Sequence, residues 1–145
     1  MPSWLPEDLP NLTDDNWICT SPYKRSYNCI AWAAGDNQTF WWPFAYWPDG
    51  VEREETLEAF IAAFATRGYS ECADASLEDG YEKIALYAVR DEGIDVPTHA
   101  ARQLADGRWT SKMGRAEDIE HNTLDAVVCP VYGAPVRYLR RPRQS

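Results

Sequence analysis

Two side chains in this 145-residue sequence are of types that could share the work of covalent catalysis, Cys29 and His99. Cys29 stands in the stretch Tyr27-Asn28-Cys29-Ile30-Ala31-Trp32-Ala33-Ala34-Gly35, where Asn28 suits a helix cap and Gly35 a helix end. A cysteine in the first turn of a helix meets unpaired backbone N–H groups. These favour its thiolate and can hold the oxyanion formed when a carbonyl is attacked. The nucleophile then needs a base, and imidazole suits that task near neutral pH. The chain has two histidines. His99 is expected near the start of a strand, with Ser111 across a hairpin placed to fix its tautomer. Asp118 and Glu120 are carboxylates that could orient His99 instead. His121 competes for the role of base, but its setting, Asp118-Ile119-Glu120-His121-Asn122, reads as a capping or surface histidine.

The elements that must position these groups follow from hydrophobic period and turn chemistry. Residues 27–35 read as a short helix. Residues 40–50, with two prolines and an Asp49-Gly50 turn, read as a loop packed by its own aromatics. Leu57, Phe60, Ile61 and Phe64 fall on one helical face, so residues 54–67 are predicted as a helix that Gly68 ends. Residues 83–88 read as a strand, 90–93 as a turn, 98–104 as a strand, Asp106-Gly107 as a hairpin turn and 108–112 as a strand. A short helix is predicted over 119–128 and a closing strand over 134–140. Residues 1–22 read as an extended arm anchored by Trp4, Trp17 and Ile18, and 141–145 as a frayed tail. The fold class expected is α+β, one domain over 1–145, with a helical N-terminal half packed on a small antiparallel sheet.

In order and spacing these residues resemble the papain-like thiol hydrolases, above all their compact bacterial branch typified by the NlpC cell-wall endopeptidases. Residues 27–32 are similar to that family's nucleophile helix, and the stretch from His99 to Ser111 is similar to its histidine hairpin. Residues 83–87 take the place of the preceding strand. The resemblance implies a papain-like fold and a Cys29–His99–Ser111 site. There Cys29 would attack an amide, ester or thioester, and His99 would serve as base and then acid. It departs from the family at Ser111, where a stronger orienting group is usual, and at Asn28, where the cell-wall enzymes commonly carry Asp. The chain also resembles an uncharacterised bacterial family, which implies no activity.

Composition narrows the partners. The net charge of −9 is poorly suited to a phosphate backbone, so no nucleic-acid partner is expected. The one basic cluster, Arg137, Arg140, Arg141 and Arg143, reads as a solvated end. No stretch approaches the ~20 apolar residues that span a bilayer, and the first residues lack a signal-peptide pattern, so a cytoplasmic protein is expected. The Asn11-Leu12-Thr13 sequon then carries no meaning. Cys19, Cys29, Cys72 and Cys129 show no metal-ligand spacing and read as free thiols, with neither metal nor organic cofactor implied.

The expected activity is therefore a cysteine hydrolase or acyltransferase acting on a peptide, a protein or a small acylated molecule. Trp32, Trp41 and Trp42 are candidates for a substrate wall, against a plain role in the core. The other readings are a non-catalytic binding or regulatory domain of the same fold, with Cys29 a small buried hydrophobe, and a delivered effector or toxin using the same chemistry.

Overall fold

The computed structural model describes residues 10, 11, 13, 16–21, 27–36, 38–112 and 118–143. Their elements in chain order are β1 (Trp17–Ser21), α1 (Cys29–Ala33), α2 (Leu57–Ala65), β2 (Ser70–Cys72), β3 (Tyr81–Asp91), β4 (Ile94–Gln103), β5 (Trp109–Lys112), β6 (Asp118–His121) and β7 (Ala134–Pro142). The strands form one seven-stranded antiparallel sheet in the order β1-β6-β5-β4-β3-β7-β2.

Strand β3 organises the sheet, because its residues 82–88 are buried without a break. A strand of that kind must be covered on both sides, and its alternate residues feed two cores. Ile84, Leu86 and Ala88 face one side, with Ala100 of β4 and Leu139 of β7, where they meet α1, α2 and the tryptophans of the aromatic loop. Ala85 and Tyr87 face the other side with Ala101, Trp109, Ile119, Val127 and Cys129. The β3–β4 hairpin turns at Glu92-Gly93, both with positive φ (50° and 81°), the twist-matched geometry of a two-residue connection. Next to the predicted Asp106-Gly107 turn, Leu104 donates to the Arg108 carbonyl at 2.7 Å.

Helix α2 forms where its period places it. The Thr56 side chain caps its start by accepting from the Ala59 N–H at 3.2 Å, and Leu57, Phe60, Ala63 and Phe64 are buried.

The expected helical half on a small sheet is overturned. The two α-helices have five and nine residues, and the sheet is the larger part of the fold. Three segments account for the difference. Part of the expected arm pairs with β6 as β1, while residues 1–9 lie outside the described residues. The expected helix over 119–128 is instead β6 followed by a 3-10 turn, Leu124–Val127. Ile119 and His121 alternate with Asp118 and Glu120 across the two faces, a period of two that is hard to recognise over four residues. The expected frayed tail is also corrected as far as Arg143, because β7 runs to Pro142 and the Arg143 N–H bonds the Gly80 carbonyl at 2.8 Å. Residues 144–145 lie outside the described residues. The basic cluster is paired rather than solvated. Arg140 bonds Glu78, Arg141 reaches Glu82 at 2.5 Å, Arg143 lies 3.6 Å from Glu82 and Arg137 3.8 Å from Glu71.

Candidate functional site

Cys29 is the first residue of α1, and its buried helix start is built by Asn28. The Asn28 carboxamide oxygen accepts from Ala31 N–H at 3.1 Å and from Trp41 N–H at 3.0 Å, and its amide donates to the Trp41 carbonyl at 2.6 Å. One side chain thus ties the helix to the aromatic loop. The Cys29 sulfur is pressed against β4, with its thiol donating to the Thr98 carbonyl at 3.8 Å. Burial pushes the thiol up to about 11, although the Ala100 and Ile30 N–H groups and the Lys112 charge all pull the other way. A five-residue helix does not offset that desolvation.

His99 follows Thr98 directly but sends its ring through to the opposite face. It sits against Tyr87, its cross-strand partner, at 5.1 Å between centroids, and Tyr132 stacks on it at 4.2 Å. Both tyrosines belong to the core that excludes Cys29. The expected contact with Ser111 is present, at 3.1 Å from His99 Nε2 to Oγ. The expected pairing of thiol and imidazole is not, because the sheet lies between them. Burial pushes His99 down to about 3, so the ring is neutral.

The chain of polar contacts continues to a residue expected at the surface. Ser111 Oγ lies 2.8 Å from His121 Nε2, and His121 Nδ1 lies 2.8 Å from the Thr123 carbonyl. His99, Ser111 and His121 are all fully buried. Each stands two residues from an apolar neighbour on its own strand, Ala101, Trp109 or Ile119, and the period of two puts all six on one face. A hydroxyl between an imidazole and a carbonyl-anchored imidazole has the connectivity of a nucleophile and base. Here it is sealed from any substrate.

The two carboxylates considered as alternative orienting groups serve other partners. Asp118 accepts from the Tyr27 hydroxyl on the α1 side of the sheet, and Glu120 pairs with Arg108. Lys112, whose ammonium lies 4.9 Å from the Tyr27 ring centroid, joins Asp118 and Tyr27 in a buried polar group on the Cys29 side that sequence reasoning missed.

The expected substrate wall is mostly framework. Trp41 is fully buried, its indole N–H bonding Asp36 at 3.0 Å. Trp42 packs edge-on against Phe60, and Trp32 donates to Thr110 Oγ1 at 3.0 Å. The exposed aromatics of this region are Phe44 and Tyr46. Among the described residues, no three His, Cys, Asp or Glu side chains are grouped to hold a metal, and no helix is long and apolar enough to cross a membrane.

A family model described as a domain of unknown function, DUF7689, matches residues 18–140, a span that runs from β1 into β7. The chain belongs to the DUF7689 family. No curated protein and no solved structure matches it. For this DUF7689 chain, any reading of function therefore rests on the geometry of its own residues.

Proposed function

We propose that the domain is non-catalytic and works by binding a protein or peptide partner. The observation that carries this reading is the sheet between Cys29 and His99. A thiol with no imidazole beside it, held protonated by burial, is a poor nucleophile, and an imidazole packed between two tyrosines on the other face of the sheet is out of reach to take its proton. Binding is supported by the aromatic loop. Phe44 is 78% exposed at the tip of a turn whose carbonyls, Pro43 and Ala45, both accept from Arg53, at 2.9 and 3.1 Å. An aromatic side chain held out on a braced turn is the kind of group that anchors an interface.

The test is the rate of Cys29 alkylation by iodoacetamide as a function of pH, in the native protein and in His99→Phe. The non-catalytic reading expects an apparent thiol pKa above the ~8.5 of a free cysteine, unchanged by the substitution. A value clearly below ~8.5 that rises when the imidazole is removed would restore the hydrolase reading.

A further inference from the structure

The contacts of the buried polar chain fix the position of every proton in it. His121 Nδ1 faces the Thr123 carbonyl oxygen, which only accepts, so this nitrogen carries the hydrogen. In the neutral ring Nε2 then accepts, and the 2.8 Å contact is the Ser111 hydroxyl donating to it. Ser111 has one proton to give, so its oxygen accepts from His99 Nε2–H at 3.1 Å. His99 Nδ1 is left as a bare lone pair, buried and without a hydrogen-bond partner. The two histidines therefore hold opposite tautomers, and an added proton leaves the contacts in place but puts an uncompensated charge on a fully buried ring.

We propose that His99, Ser111 and His121 form an acid-sensitive latch that holds β4, β5 and β6 together with the turn 129–133 that covers His99. A proton arriving at His99 Nδ1 can stay there or pass through Ser111 to His121. Among the described residues, neither position offers a compensating charge. Around His99 stand Tyr87, Tyr132, Ser111 and His121, with Cys129 and Tyr138 beyond Tyr87. Asp125 acts on Tyr87, and no described carboxylate is among the causes that shift either imidazole. The cation near His121 is Arg108, which repels a second positive charge. Release falls on the turn because its hold on the sheet runs through the same site. Tyr132 stacks on His99, and the Tyr132 carbonyl accepts from the Thr98 hydroxyl at 2.5 Å.

The direction of the response follows from burial. An exposed histidine titrates near ~6.5, whereas in the closed state burial pushes His99 down to about 3 and His121 to about 4. The open state therefore binds more protons between those limits. Opening grows as pH falls below ~6.5, by up to about tenfold per pH unit for each proton taken up, and by about a hundredfold if both are.

The experiment is nitrogen-15 NMR of the imidazoles, read together with amide hydrogen exchange over residues 129–133, from pH 7.5 to 4.5. At pH 7.5 the latch requires Nε2–H on His99 and Nδ1–H on His121, and amide protection in 129–133 must fall with acid in step with imidazole protonation. His99→Phe keeps the ring stack and removes one titrating group, so it should flatten that response. Ordinary titration near ~6.5 with protection in 129–133 intact would overturn the latch, as would identical tautomers at the two rings. Should His99→Phe fail to fold, the tautomer and exchange measurements on the native chain decide the matter alone.

Discussion

Cys29 and His99 meet the same short piece of β4 from opposite sides: the sulfur donates to the carbonyl of Thr98, while the ring of the next residue stacks under Tyr132. The strand pairing explains the separation. The β3–β4 register shifts between Tyr87 and Ala88, so that Tyr87 faces His99 and Ala88 faces Pro97, leaving Thr98 as the extra residue. A bulge aims the residues that follow it, and here it points His99 to the tyrosine face and Ala100 to the α1 face. Cys29 should accordingly alkylate slowly near neutrality. A thiol held at about 11 carries about three-hundredfold less thiolate at pH 7 than a free cysteine at ~8.5, and burial slows it further. Mass spectrometry of partially alkylated native protein should find the exposed Cys19 modified long before Cys29.

Ser111 holds two imidazole nitrogens at once, so its loss should be felt twice. Ser111→Ala leaves His99 Nε2–H and His121 Nε2 buried without their partner. At about 1–3 kcal/mol for each orphaned polar group, partly relieved by relaxation, a loss of about 2–4 kcal/mol is expected. Thr110→Ala, the adjacent residue on the other face, removes a bond from the part-buried Trp32 indole and a bond to the Ile119 carbonyl within the ladder, and should cost about 1–2 kcal/mol. Urea unfolding at pH 7 separates the two. Equal costs would mean that the bridge between the two imidazoles contributes no more than the ordinary contacts of a buried hydroxyl.

How far the sequence reveals this fold depends on the length over which a pattern repeats. Helix α2 has four apolar residues at helical spacing and a capping threonine, and it forms where expected. The hairpin turn at Asp106-Gly107 and the contact across it, His99 to Ser111, were legible because turn chemistry fixes register. The face on which His99 lies was not legible, because one extra residue in β4 inverts it, and Pro97, which lacks a ladder N–H, marks an irregularity in Val96-Pro97-Thr98-His99 without fixing which residue is extra. His121 reads as a surface residue in the sequence because polar neighbours surround it there. In the fold Glu120 alternates away from it in β6, Asn122 is exposed just past the strand, and the His121 ring is buried. Trp41 and Trp42 illustrate the same limit. Aromatic density marks a segment that packs, and only the fold decides which rings face inward.

The aromatic loop yields a contrast between its buried and exposed members. Trp41 is fully buried and bonded to Asp36, and Arg67 lies 5.1 Å from its ring centroid. Trp41→Ala should cost about 3–5 kcal/mol, the range for an aromatic deleted from a core. Phe44→Ser should change stability by less than about 0.5 kcal/mol, since an exposed side chain loses little packing. Thermal unfolding of both variants measures the difference. A large loss in Phe44→Ser would make that ring part of the framework and remove it as a docking anchor.

Gly133 gives the most local prediction about the turn over His99. Its φ is +73°, and a β-carbon there would meet the Ala88 carbonyl oxygen at 1.9 Å and the carbonyl carbon at 2.6 Å. Both obstacles are backbone of β3, which is paired on both sides, so the turn must move rather than the strand. Gly50 provides the control, with φ of +82° and nothing within 4 Å of where its β-carbon would lie. Gly50→Ala should carry only the backbone strain of about 1–2 kcal/mol. Gly133→Ala adds the collision and should cost about 3 kcal/mol or more. Since the displaced turn carries Tyr132, hydrogen exchange in the folded Gly133→Ala protein should show 129–133 loosened at pH 7, while Gly50→Ala leaves that segment protected. Equal protection in the two variants would mean that the approach of Gly133 to Ala88 does not hold the turn down.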